Sequence, residues 1–220
     1  LDYELSEDKP MNQSEIDNQK HWQAVYRDRS ASEVSWYQTE PALSLSLIEA
    51  TGIARDANIL DVGGGASVLV DRLLTQGFGD IEVLDISGHA LAVAQERLGE
   101  KVDQVRWHVG DITQFQPERQ VDLWHDRAVF HFLTKSAQRQ AYCQALEKSL
   151  RPGGHLIIGT FAVDGPTRCS GLDIVQYDVP ALLDVLGPLF ILREERRETH
   201  LTPGNKTQNF AWFRLQRSSD

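Results

Sequence analysis

The sequence predicts an α/β protein with an open, doubly wound, mostly parallel sheet of seven strands. Helices cover both faces, and an antiparallel C-terminal hairpin forms one edge. Three observations lead there. From Asn58 to Ala162, short apolar segments alternate with segments of helical period, the pattern of parallel strands buried on both faces by crossover helices. Acids fall at the ends of four successive strand segments. The last thirty or so residues change to two long strand-like runs, ILREERRETH and NFAWFRLQR, around the turn-rich TPGNKTQ, which reads as a hairpin.

The elements follow in order. Residues 1–18 are polar and acidic with little periodicity and read as a mobile arm or a loose first helix. A single domain is expected over 19–220, since 220 residues suffice for one well-buried domain and are short for two. In it, HWQAVYRDRSASEVSWYQTEP gathers Trp22, Tyr26, Trp36 and Tyr37 before a helix opened by Pro41 and ended near Gly52. The segment from 19 to about 52 reads as a helical lid, or as a seal on one end of the core. Strand NILDV, helix SVLVDRLLTQ up to Gly77, strand IEVLDI, helix ALAVAQERL up to Gly99, and strands VRWHV and VDLWHD come next. A helix over about Thr134–Leu150 precedes RPGG, which turns the chain into strand HLIIGTFA. A short helix starts near Asp178 and Pro180, ahead of the hairpin.

Composition narrows the function. The formal charge of −10 sets up a field that repels phosphate backbones, so no nucleic-acid partner is expected. Arg193, Arg196 and Arg197 alternate with glutamates and read as a solvated strand face. No apolar run approaches the roughly 18 residues of a membrane span, and LDYELSEDKP has no signal-peptide layout. The expected location is cytoplasmic, without a membrane partner. Cys143 and Cys169 form no disulfide framework and no zinc spacing, so no metal is expected.

In open α/β sheets, ligands bind beyond the carboxyl ends of the strands, where strand order reverses. Asp61 ends the first strand before GGG, Asp85 ends the second, Asp111 follows the third, and His125 and Asp126 end the fourth. Helix capping accounts for any one of these acids, but four in succession describe an acidic rim. A dinucleotide would set its pyrophosphate on the glycine loop and needs a small residue at the sixth position from Gly63, which here is Val68. S-adenosylmethionine fits the rim better. It carries no phosphate, and its sulfonium, ammonium and carboxylate sum to about +1.

DVGGGAS at 61–67, Asp85, GDI at 110–112, DLWHDRAVF at 122–130 and LRPGGHLII at 150–158 together resemble a class I S-adenosylmethionine-dependent methyltransferase with a Rossmann-like sheet. The resemblance covers roughly residues 20–215. DRAVF also resembles the DKGT-type turn of the methyltransferase-like group that includes lysine methyltransferases, with Arg, Ala and Val where that group has Lys, Gly and Thr. The resemblance implies that Asp61, Gly63 and Gly65 line the methionine part of the cofactor. Ser67 stands where many members have a third glycine. Asp85 would accept from both ribose hydroxyls, Ile86 would pack on the adenine, Asp111 would receive its amino group, and Ile112 would supply apolar contact. The product would be S-adenosylhomocysteine.

Methyl transfer needs alignment more than covalent help. A base near an amine or thiol acceptor is sought at the end of the fourth strand: Asp126 for orientation, then His125 and His131. His131, within AVFHFL, reads equally as a hydrogen-bonded core residue. Trp36 and Tyr37 are candidates to close over the sulfonium. The function expected is methylation of a nucleophilic N, S or O on a small molecule. The alternatives are a protein lysine methyltransferase, a cofactor-binding module without catalysis and, more distantly, a dinucleotide oxidoreductase.

Overall fold

The computed structural model describes residues 13–219; the first twelve residues of the expected acidic arm lie outside them. Residues 13–18 belong to a helix, α1 (Gln13–Asp28), the second of the two readings given for this segment. A helix α2 (Ala42–Glu49) starts behind Pro41. It leads into β1 (Asn58–Val62), α3 (Leu69–Thr75), β2 (Asp80–Asp85), α4 (Gly88–Leu98), β3 (Val105–Val109) and β4 (Val121–Arg127). Then come α5 (Ser136–Ser149), β5 (Leu150–Phe161) and a small two-stranded ribbon of β6 (Arg168–Cys169) and β7 (Leu172–Asp173). The chain closes with α6 (Val179–Leu186), β8 (Phe190–Leu201) and β9 (Thr207–Arg217).

The seven-stranded sheet has the order β3-β2-β1-β4-β5-β9-β8. Pairs from β3 through β5 are parallel, whereas β9 runs antiparallel to both β5 and β8. Strand order therefore reverses between β1 and β4, which opens a crevice above their carboxyl ends.

Alternation along the strands divides the core. Ile59 and Leu123 face α2, α3 and α4, with Leu47, Ile48, Leu73 and Leu91. Leu60 and Trp124 face α5 and α6, with Tyr142, Leu146, Leu182 and Leu186. The helix α2 is thus part of the core, and the covering segment stops before it. Asp178 caps α6 by accepting from the Ala181 amide at 2.9 Å, which satisfies one of the free donors of the first turn.

RPGG is not a turn before the strand but part of β5. Leu150 pairs with Val121 and His155 with Leu123, so four residues of β5 oppose one of β4. Gly153 takes φ +76° in this bulge, a conformation that suits glycine. Among the described residues no helix is long and apolar enough to cross a membrane.

Candidate active site

Two cavities meet at the β1/β4 crevice. The larger, about 960 Å³, is lined by Asp85, Ile86, Asp111 and Ile112 at one end and by Gly63, Arg127, Ala128 and Val129 at the other. Its cover comes from α1 and the segment after it, through Asn18, Trp22, Tyr26 and Trp36. Asn18, Trp22 and Tyr26 are spaced i, i+4, i+8, so they form one stripe of the helix. Trp36 donates Nε1–H to the Tyr26 hydroxyl at 3.0 Å, and its ring meets those of Trp22 and Tyr26 edge-on. Gln23 Oε1 accepts from the His89 amide at 3.2 Å, tying α1 to the start of α4.

The glycine corner is shaped by close approach. Gly63 (φ +67°) leaves no room for a Cβ, which would collide with Val129 Cγ2. At Gly65 (φ +45°) a Cβ would stand 2.8 Å from Asp85 Oδ2. Both positions need glycine for conformation and for space.

Asp85 is buried, and its Oδ1 accepts from the Ser87 amide at 2.7 Å. Burial pushes its pKa up to about 7 against the amides of Ser87 and Gly65, and the Asp61 carboxylate adds to the rise. Two carboxylates are crowded here with little water. A ligand that donates hydroxyls or carries positive charge relieves that cost. Asp111 uses Oδ1 to accept from the Thr113 amide and hydroxyl, both at 2.8 Å. Ile86 and Ile112 supply apolar walls between the two acids.

The smaller cavity is lined by Asp61, Gly63, Gly64, Ser67, His125 and Arg127, with Ser44, Trp36 and Tyr37 at its side. Ser67 Oγ accepts from the Leu69 amide at 3.2 Å, a local contact of the turn that leads into α3; the N-cap of that helix is Val68, without a side-chain cap bond. Tyr37 faces this cavity and an outer groove rather than the larger cleft. Trp36 lines both cavities.

The three expected catalytic groups are engaged in the frame of the site. Asp61 and His125 are register partners on β1 and β4, so His125 shares the Asp61 face and Asp126 points to the opposite one. Asp126 accepts from the amides of Val129 (3.0 Å) and Phe130 (3.4 Å) and from the Tyr142 hydroxyl (2.7 Å). It is wholly buried and raised by that burial to about 6. It braces the turn after β4 and lines neither cavity. His131 is fully buried among Phe132, Phe161 and Phe210. Its Nδ1 accepts from the Phe161 amide at 3.2 Å, and burial together with Arg127 lowers its pKa to about 3. It is a core histidine. His125 Nδ1 lies 2.7 Å from Asp61 Oδ1 and its Nε2 3.0 Å from Ser44 Oγ, so both ring nitrogens are engaged.

Several lining residues were not anticipated as part of the site. Arg127 reaches both cavities, and Cys169 and Leu172 of the small ribbon close the far end of the larger one. Period-two alternation from His125 identifies Arg127, and helical spacing identifies Asn18, Trp22 and Tyr26. The ribbon residues carry no comparable signal.

A parallel sheet reversing between β1 and β4, with a glycine corner and two strand-end acids at the reversal, defines a doubly wound α/β fold with a crevice where such folds bind ligands. Residues 59–154 match the family model described as a methyltransferase domain. Malonyl-[acyl-carrier protein] O-methyltransferase 2 of Ilyobacter polytropus is 28% identical over 108 residues, 49% of this chain and 40% of that protein. Nodulation protein S of Rhizobium tropici is 30% identical over 104 residues, 47% of this chain and 43% of that protein. The chain thus matches about two fifths of the length of these curated relatives. The structure of Burkholderia thailandensis 1,6-didemethyltoxoflavin-N1-methyltransferase, with its substrate and S-adenosylhomocysteine bound, superposes with a TM-score of 0.67 at 20% identity, covering 99% of this chain and 98% of that one. Residues 59–154 are thus similar to a methyltransferase domain, and the chain shares the fold of the Burkholderia thailandensis enzyme.

Proposed function

We propose that this protein transfers a methyl group from S-adenosylmethionine to a nucleophilic N, S or O of a small-molecule acceptor. The observation that carries the reading is the joining of Asp85, Asp111 and the Gly63 corner in one cleft under Trp22, Tyr26 and Trp36. Asp85 offers carboxylate oxygens to ribose hydroxyls, and Ile86 and Ile112 offer an apolar slot for a purine that ends at Asp111. The crowded Asp85 and Asp61 carboxylates favour a ligand bearing positive charge. The bound cofactor supplies an activated methyl group on a sulfonium.

The chain's own work is to orient and to exclude water. Aligned partners gain large effective concentrations without a covalent step, and aromatic faces near a sulfonium add attraction. With Asp126, His125 and His131 engaged in the frame, the acceptor's own ionisation before it enters the cleft supplies the free lone pair. The name of the Burkholderia thailandensis enzyme supports a small acceptor, that of the Ilyobacter polytropus relative an acyl group on a carrier protein, and the aromatic cover favours a small acceptor over a folded protein. A cytoplasmic setting belongs to the same reading.

Calorimetric titration with S-adenosylmethionine, S-adenosylhomocysteine and the oxidised nicotinamide dinucleotides tests the cofactor, with Asp85→Ala alongside. Micromolar binding of the first two, lost in the variant, is expected. Binding of a dinucleotide alone would overturn the reading. Labelled cofactor added to fractionated lysate then separates the acceptors: label in small metabolites is expected, and label in a protein band would redirect the assignment to a protein substrate.

A further inference from the structure

Arg127 is the side chain of fixed positive charge shared by both cavities; no other Lys or Arg lines either one among the described residues. Its Nη1 donates to the Trp36 carbonyl at 2.7 Å. Its Nε and Nη2 are sealed from solvent and have no hydrogen-bond partner among the described residues. The guanidinium carbon sits 5.3 Å from the centre of the Phe210 ring. Asp61, Glu198 and Tyr26 are close enough to act on its charge, yet none makes a hydrogen bond to it. Leaving two donors of a buried cation unpaired is costly, and a planar guanidinium presents a fork matched to a carboxylate.

We propose that Arg127 binds a carboxylate brought into the cleft by a ligand. Its two open donors, Nε and Nη2, form a side-on fork, and the third nitrogen holds the cover through Trp36. Asp61 and Asp85 receive positive charge while Arg127 receives negative charge, so the cleft as a whole suits a zwitterionic end group. The carboxylate has two sources: the methionyl end of the cofactor or an acid group on the acceptor. This rests on the methyltransferase reading for the cofactor source alone.

The test compares the parent chain with Arg127→Gln and Arg127→Lys by calorimetry, using S-adenosylhomocysteine and decarboxylated S-adenosylmethionine, which lacks the carboxylate. The ¹⁵Nε resonance of Arg127 in the parent chain is followed in parallel, assigned by its loss in Arg127→Lys. For the cofactor source, Arg127→Gln binds S-adenosylhomocysteine about 10- to 100-fold more weakly. Arg127→Lys falls between, and the decarboxylated compound binds all three alike. For the acceptor source, S-adenosylhomocysteine binds all three alike, and millimolar acetate shifts the Arg127 Nε resonance in the saturated protein.

Equal weakening of both adenosyl ligands would reduce Arg127 to a strut of the cover and overturn the proposal. So would an Nε resonance that neither S-adenosylhomocysteine nor acetate moves. If the parent chain binds no adenosyl ligand, the methyltransferase reading fails by itself. The response of the Nε resonance to acetate then decides the carboxylate site.

Discussion

The His125 imidazole joins three elements by bridging Asp61 of β1 at 2.7 Å and Ser44 of α2 at 3.0 Å from its own place on β4. With Nδ1 paired to the carboxylate and Nε2 to the hydroxyl, both ring nitrogens are used. All three residues are buried. Removing the ring leaves a carboxylate and a hydroxyl without their partner, a loss on the order of 2–4 kcal/mol. His125→Ala should therefore lower Tm by roughly 5–12 °C in a chain of this size, and Ser44→Ala by much less. Thermal unfolding followed by circular dichroism checks both. A His125→Ala protein as stable as the parent would show that the network holds nothing.

Asp85 makes the apo protein pH-dependent in a predictable direction. Its carboxyl is raised by burial, with Asp61 adding to the rise, to about 7, against an ordinary value near 3.8 when the chain is unfolded. Between those values the folded state holds more protons than the unfolded state, so stability falls as pH rises from about 4 to about 7 and then levels. Asp85→Asn removes this titration, and the variant should gain on the parent across that window. Ligand binding runs the other way. Hydroxyls donating to the carboxylate favour its ionised form, so S-adenosylhomocysteine should bind more tightly as pH rises through 7, with proton release. Calorimetry at pH 6 and 8 in buffers of different ionisation enthalpy measures that release, and a pH-independent affinity would contradict it. The Asn variant should bind about 10- to 100-fold more weakly at pH 8, since charge-assisted hydrogen bonds contribute about 1.5–3 kcal/mol.

Tyr142 carries a relay behind the site: Trp124 Nε1 donates to its hydroxyl at 2.9 Å, and the hydroxyl donates to Asp126 at 2.7 Å. That donation holds down a carboxyl that burial otherwise raises. Tyr142→Phe strands the indole N–H and one carboxylate oxygen together, at a cost of about 1–3 kcal/mol for each buried group left without a partner. Tm should fall, and the Asp126 carboxyl should titrate above its present value of about 6. The loss of stability with rising pH then extends to higher pH than in the parent. Carbon-detected NMR of the Asp126 side chain reads the titration, and a lower pKa in the variant would refute the relay.

The strand segments and the acids at their ends were readable because both depend on local pattern: alternation, apolar runs and punctuation by glycine. The face to which an acid points depends on register, which local pattern does not contain. Asp61, Asp85 and Asp111 follow the rim that the sequence describes, but β4 runs one residue beyond Asp126 to Arg127. Pairing of Asp61 with His125 then turns Asp126 away and brings Arg127 in. His131 shows the same limit, since a histidine in AVFHFL gives no hint of whether it meets solvent or the Phe161 amide. The aromatic cover was visible as composition, whereas the stripe of Asn18, Trp22 and Tyr26 required the helix to start before residue 18.

Ala128 holds the left-handed conformation, with φ +68°, at the mouth of the larger cavity. Its amide donates to the Gly159 carbonyl at 2.8 Å, and the Asp126 carboxylate draws the next two amides inward. The backbone is held by partners on both sides, so the side chain has no means of relaxing its own strain. A β-carbon in this region costs about 1–2 kcal/mol, and glycine removes that cost while losing more entropy on folding. Ala128→Gly should be net stabilising by about 0.5–1 kcal/mol, which raises Tm by about 1–4 °C. The site geometry should survive, because Gly63 is packed against Val129 rather than against the alanine methyl. S-adenosylhomocysteine affinity within about twofold of the parent, measured beside the higher Tm, is the expected pair of results. A fall in Tm would mean that the Ala128 methyl contributes more by packing than its conformation costs.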